Sequence, residues 1–245
     1  MQLATCSSER KWTVSNKLFR ILIALCGVFG VAALVTHFSF PAQPPPDDAN
    51  LAQLAEYASR YQNALMASAW LQAMGSLLFV VFTLGIVHLA NATTRFSGLI
   101  TIVAATLIQA ISLLDTGFII ACVKAGVSHH AAMMTVGYDL INNLGTGDAV
   151  GHLFLITPPL LLPLGFVILG SSVLPRLFGY LAILLGSVIG ILGIASLYFG
   201  ADAVVTVVML LQEFWAVAAA ITLMVQTRTP VSTGSRVELY ESLTV

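Results

Sequence analysis

Six apolar stretches alternate with short polar segments along the chain, over 19–38, 65–89, 97–123, 148–169, 177–198 and 203–225. About 20 apolar residues in a helix cover a hydrocarbon core of ~30 Å, so each stretch reads as a membrane-crossing helix. Before the second stretch, Asp47-Asp48 follows three prolines and marks a helix start. Leu51, Leu54, Ala58, Tyr61 and Leu65 then recur at three- and four-residue spacing, with Glu56 and Arg60 on the other side. This periodicity predicts an amphipathic helix over Asp48–Tyr61, lying at the membrane surface or running straight into the second span. The expected fold class is all-α: a polytopic bundle of six transmembrane helices, with a polar N-terminal tail over 1–16 and a polar C-terminal tail over 227–245.

Small residues and prolines add detail to this outline. Gly27 and Gly30 in the first stretch, and Gly186 and Gly190 in the fifth, are spaced to let helices approach closely. A cleaved signal peptide is the competing reading of the first stretch, because basic residues precede it and Pro41-Ala42 follows it. The fourth stretch contains Pro158-Pro159 and Pro163. Prolines remove backbone donors, so a bend facing protein or a wet cavity is expected there. Residues 124–147 are too polar to span and form an outer loop, part of it helical.

Composition agrees with this pattern. The 245 residues are 58% hydrophobic and only 9% charged, with a mean hydropathy of +0.94, far above a soluble domain of this length. Eight of the ten Lys and Arg residues (Arg10, Lys11, Lys17, Arg20, Arg95, Arg176, Arg228 and Arg236) fall on one side of a six-span threading, against Arg60 and Lys124 on the other. The positive-inside bias therefore places both termini in the cytoplasm, and the expected location is the inner (cytoplasmic) membrane of a bacterium. A net charge of −1 leaves no basic surplus for nucleic acid, so the expected partners are membrane lipid, a small-molecule ligand and a second copy of the chain.

The candidate chemistry lies in polar residues that interrupt the apolar stretches. A carboxylate at bilayer depth costs about 2.5–3.5 kcal/mol on insertion scales, so one retained there has a use. Counting ~1.5 Å per residue inward from the outer ends puts His152 roughly 6 Å deep, Gln72 about 10 Å, Asp115 about 12 Å and Glu213 about 16 Å. The functional reading is an outer-half polar cavity lined by Asp115, Glu213, His152 and Gln72, with Asp148 one turn above His152, in which the two carboxylates share a layer. The bland reading is a set of hydrogen bonds that pin helices, with Gln72 or Gln109 serving one carboxylate and His152 pairing with Asp148.

Other chemistries find little support. His129-His130 with Met133-Met134 has the donor types of a soft-metal site, but one such cluster in a loop is ordinary loop composition, and Asp148 and His152 lack a third ligand; no metal and no cofactor is expected. Cys6, Cys26 and Cys122 lie on separate stretches without a CxxC. No Walker loop, GxSxG, HExxH or dinucleotide loop occurs, and no lysine lies mid-span to carry a Schiff base.

The order of parts resembles a bacterial family of six-helix membrane proteins classed as a domain of unknown function. The likeness rests on the Asp48–Tyr61 helix leading into the second span, and on Ser172-Val173-Leu174-Pro175-Arg176-Leu177-Phe178-Gly179, similar to that family's loop ending in Pro-Arg-x-x-Gly. It covers roughly 18–225 and implies a fold without implying an activity. The expected function is binding or passage of a small solute, with Asp115 and Glu213 as proton- or cation-responsive groups. The rivals are an intramembrane enzyme acting on a lipid or quinone, with His152 as partner to a carboxylate, and a non-catalytic regulatory or scaffold protein.

Overall fold

A computed structural model describes the backbone of residues 5–39, 50–128, 149–199 and 202–226. Within these helices the side chains of 5–16, 38, 39, 51, 149–156, 196–199, 202–206 and 209 lie outside the description. Seven helices make up the described residues: α1 (Thr5–Ser39), α2 (Leu51–Arg60), α3 (Gln62–Leu89), α4 (Phe96–Val127), α5 (Ala149–Leu169), α6 (Arg176–Phe199) and α7 (Asp202–Gln226). The described parts of all six apolar stretches are helical. The first helix begins well before its apolar run, so backbone expected to be a polar tail is helical from Thr5.

The helices pack in a closed circuit. α1 lies on α3, α3 on α4, α4 on α5, α5 on α6, α6 on α7, and α7 returns to α1. A smaller α3–α5 contact pinches the ring across its middle. Phe19 meets His88 edge-on at 5.4 Å between ring centres, and the Arg95 guanidinium donates to the Gly170 carbonyl at 3.4 Å. These contacts bring the start of the apolar part of α1, the α3–α4 turn and the α5–α6 turn to one end of the ring. Lys17, Arg20, Arg95 and Arg176 are therefore gathered there.

Among the described residues, four helices are long and apolar enough to cross a membrane: Lys17–His37, Gln62–Leu89, Phe96–Val127 and Arg176–Ala195. Thr157–Leu169 and Leu210–Gln226 are shorter apolar segments. The outside of the ring is apolar as well, with Phe29, Val103, Leu114, Phe166, Ile191 and Phe214 exposed. Such a surface is stable against lipid and is a liability in water.

Glycines set the closest approaches. A Cβ on Gly30 would lie 3.1 Å from the Gly75 carbonyl oxygen, and one on Gly75 would lie 3.0 Å from that of Gly30, so α1 and α3 touch backbone to backbone. Gly27 faces Phe82 and Ala220, which uses the expected small face on two neighbours at once. On α6, Gly186 faces Leu161 and Leu162, and a Cβ on Gly190 would lie 3.5 Å from Pro158 Cγ.

The helix α5 is continuous through Pro158, Pro159 and Pro163, so the expected bend does not end the helix. Pro158 and Pro163 are buried, and the glycines of α6 give the Pro158 ring room at this interface.

α2 forms where the periodicity placed it, but starts later than Asp47-Asp48. Asn50 is its N-cap: its side chain accepts from the Gln53 N–H at 3.0 Å, while Gln53 Oε1 accepts from the Asn50 N–H at 2.8 Å. This reciprocal box satisfies two donors that a helix start otherwise leaves open. Leu54 and Ala58 are buried, and Leu54 packs with Ala125 near the end of α4. The chain then passes through Tyr61 into α3 almost without interruption, since the Leu65 N–H still reaches the Tyr61 carbonyl at 2.9 Å.

The largest fully buried side chains include Phe82, Ile86, Leu161, Leu164, Ile189 and Leu223, and the apolar core they belong to also takes in Val31 and Val208 toward the other end of the ring. The half of α3 away from His88 carries polar residues as well.

Candidate functional site

On α3, Ser68, Gln72 and Ser76 follow at four-residue spacing, and one face of a helix repeats at this interval. On α4, Gln109, Ser112 and Asp115 follow at three-residue spacing and line the facing stripe. Antiparallel packing of α3 on α4 pairs the two sets as rungs of a ladder.

The deepest rung is a chain of hydroxyls. Ser112 Oγ donates to Ser76 Oγ at 2.8 Å, and Ser76 Oγ donates to Gln109 Oε1 at 3.2 Å or to the Ala73 carbonyl at 3.0 Å. The middle rung is Gln72 Nε2 donating to Asp115 Oδ2. Beside it, Thr116 Oγ1 reaches the Ala69 carbonyl at 3.4 Å.

The outermost rung crosses to α1. Nδ1 of His37 lies 2.7 Å from Ser68 Oγ and 3.0 Å from the Ser68 carbonyl, and Ser68 Oγ lies 3.4 Å from the His37 carbonyl.

Ser68, Ser76 and Thr116 are buried, whereas His37, Gln72, Gln109, Ser112 and Asp115 are half-buried. Gln72 donates to Asp115, but its own Oε1 is buried with no hydrogen-bond partner. Among the described residues, the other buried side-chain atoms in this condition are Gln212 Oε1 and Glu213 Oε2. All three are acceptor oxygens. A buried acceptor without a donor is costly, so each favours a donor-bearing or cationic neighbour.

Of the residues singled out in the sequence, Asp115 and Gln72 are brought together. Glu213 is not part of this ladder. It lies on α7, which packs on α1 and α6, while α4 packs on α2, α3 and α5. In the circuit α4 and α7 stand opposite one another, with the α3–α5 contact between them.

His152 lies on the backbone of α5, but its side chain is outside the described residues, as are Asp148 and the cluster of His129, His130, Met133 and Met134. Among the described residues no group of three or more His, Cys, Asp or Glu side chains is arranged to hold a metal.

His37, Ser68, Ser76 and Ser112 belong to the site and were not singled out. The signal was present as spacing, Ser-xxx-Gln-xxx-Ser on one helix and Gln-xx-Ser-xx-Asp on the next. Comparison with family models, with curated proteins and with solved structures gives no match.

Proposed function

We propose that this chain is a six-span protein of the bacterial cytoplasmic membrane, of the six-helix family it resembles, with both termini cytoplasmic. It binds a small cationic or donor-bearing solute at Asp115 and Gln72, in the outer half of the α3–α4 interface. The observation that carries this reading is the Gln72 amide: its nitrogen serves the Asp115 carboxylate while its oxygen is buried and unpaired. The result is an acceptor-rich, partly desolvated spot, where a cation interacts far more strongly than in water. Passage of the bound solute follows the ladder, whose Ser112, Ser76 and Gln109 continue the polar track inward.

Methylammonium and guanidinium are suitable probes, each a small cation rich in donors. Titrated into purified protein in lipid nanodiscs, at least one should bind saturably and raise thermal stability. Asp115→Asn should weaken that binding at least tenfold. Equal binding by Asp115→Asn, or no binding of either cation to the parent protein, would overturn the reading and leave the ladder as a device that pins α3 to α4.

A further inference from the structure

Gln212 and Glu213 interrupt the apolar run of α7, and the helix turns them to different sides, since successive residues stand about 100° apart. The Trp215 indole N–H donates to the Phe178 carbonyl at 3.1 Å, which marks the side of α7 that faces α6. Ala220 marks the side that faces α1, because a Cβ on Gly27 would lie 3.0 Å from its own Cβ. Gln212 falls between these sides, in line with the buried Val208, Ala216, Ala219 and Leu223, and so looks into the ring. Glu213 stands two turns before Ala220 on the α1 side. It is half-buried, and beside it Leu210 and Phe214 are exposed. The carboxyl therefore sits at the α1–α7 seam, on the edge of the apolar outer surface.

Neither residue finds a donor for its buried oxygen. Gln212 is 8% exposed, and its Oε1 and Glu213 Oε2 are both buried without a hydrogen bond. The two helices packed on α7 offer no basic or amide side chain along this depth: α1 has no Lys, Arg, His, Asn or Gln between Ile21 and Val35, and α6 has none between Leu181 and Ala195. Over those stretches the side-chain donors are the Cys26 thiol and the Ser187 hydroxyl, and neither reaches the two oxygens. Lipid supplies no water in their place.

We infer that the α1–α7 seam is a second ligand site, separate from the Asp115 ladder, and that it takes a lipophilic primary amine from the bilayer. The ammonium group pairs with the Glu213 carboxylate and reaches inward to Gln212 Oε1, while its hydrocarbon chain lies along Leu210 and Phe214. Charge pairing in this low-dielectric place is far stronger than in water, and each N–H answers an acceptor that the protein leaves open. A quaternary amine brings the charge without the donors, so the site distinguishes the two.

n-Octylammonium and octyltrimethylammonium test this in lipid nanodiscs, with protein-free nanodiscs as the reference for partition. Octylammonium should bind the parent protein saturably, and Glu213→Gln should weaken it about tenfold, the scale of a lost hydrogen-bonded charge pair. Gln212→Leu keeps the acid, should weaken binding several-fold, and carries the test if Glu213→Gln fails to fold. Asp115→Asn should bind octylammonium as the parent does. Binding no different from protein-free nanodiscs, affinity unchanged in the α7 variants, or affinity lost in Asp115→Asn would overturn the second site.

Octyltrimethylammonium should bind clearly less tightly than octylammonium, and equal binding would overturn the donor pairing. A diazirine on the octyl chain locates the ligand: irradiation should label α1 and α7 around Leu210 and Phe214, and unmodified octylammonium should compete. Labels spread evenly over all the helices would overturn the seam. Methylammonium lacks the chain and reports the Asp115 site, so this inference and the proposed function fail separately.

Discussion

Gly165 and Gly179 bring α5 and α6 into backbone contact: a Cβ on the first would lie 2.8 Å from the carbonyl oxygen of the second, and the reverse distance is 3.0 Å. The second residue is the glycine of the Pro-Arg-x-x-Gly segment that opens α6, so the close approach supplies that segment with a structural reason. A side chain at either position must push two backbones apart. Gly179→Leu should destabilise the protein by about 1–3 kcal/mol, the usual cost of overpacking. Gly117 on α4 has nothing within 4 Å of its Cβ position, and Gly117→Ala should be neutral or stabilising by up to ~1 kcal/mol. Thermal unfolding of the two variants in the same detergent checks the contrast.

Asn91 has a φ of 49° at the end of α3, and the turn depends on it. The Ala92 N–H returns to the Val87 carbonyl at 3.1 Å and the Asn91 N–H to His88 at 3.0 Å, closing the helix. A Cβ on Gly98 would collide with the Ala92 carbonyl, so α4 starts directly against this turn. Asn tolerates the left-handed region and Gly is free in it, whereas a β-branched side chain is strained there. Asn91→Gly should be accepted, and Asn91→Val should lose about 1–2 kcal/mol. Hydrogen exchange of the Ala92 and Arg95 amides, protected in the first variant and released in the second, reads the difference locally.

The membrane assignment was legible because period and length are local properties: α3, α4, α5, α6 and α7 each begin and end within four residues of the apolar runs that announced them. Gly27, Gly30, Gly186 and Gly190 were legible for the same reason, as spacing within one helix. Which helices neighbour one another was not. Depth along a span can be counted, but the azimuth of a side chain depends on packing order, and that order sets α4 opposite α7 in the ring. His37 escaped notice because it stands at the end of an apolar run, where histidine is unremarkable until Ser68 is seen beside it. Serines at 68, 76 and 112 look like ordinary small helix residues until two helices place them face to face.

On the proposed threading, the end of the ring that gathers Lys17, Arg20, Arg95 and Arg176 lies in the cytoplasm, and Asn50 at the cap of α2 faces outward. In a background without the three native cysteines, Asn50→Cys should react with a membrane-impermeant maleimide in intact spheroplasts. Arg95→Cys should react only after permeabilisation. The opposite pattern would invert the protein, and reaction of both in intact spheroplasts would reject the six-span threading.

The Gln72–Asp115 pair offers the sharpest test of whether the ladder holds an ionised acid. Three variants separate the terms. Gln72→Leu removes the donor and leaves the carboxylate in a half-buried place without it, which costs about 1–3 kcal/mol when the acid is charged. Asp115→Asn keeps the shape and an acceptor oxygen for Gln72, so it removes the charge and little else. If the carboxylate is a strained ion awaiting a cation, Asp115→Asn should be as stable as the parent or more so, and Gln72→Leu in the Asp115→Asn background should cost clearly less than in the parent. The coupling between the two changes, measured by thermal unfolding in one detergent at one pH, should then be about 1 kcal/mol or more, as for residues in direct contact. Additive effects would mean that the acid is held neutral in the ladder, and the cation would lose its counter-charge.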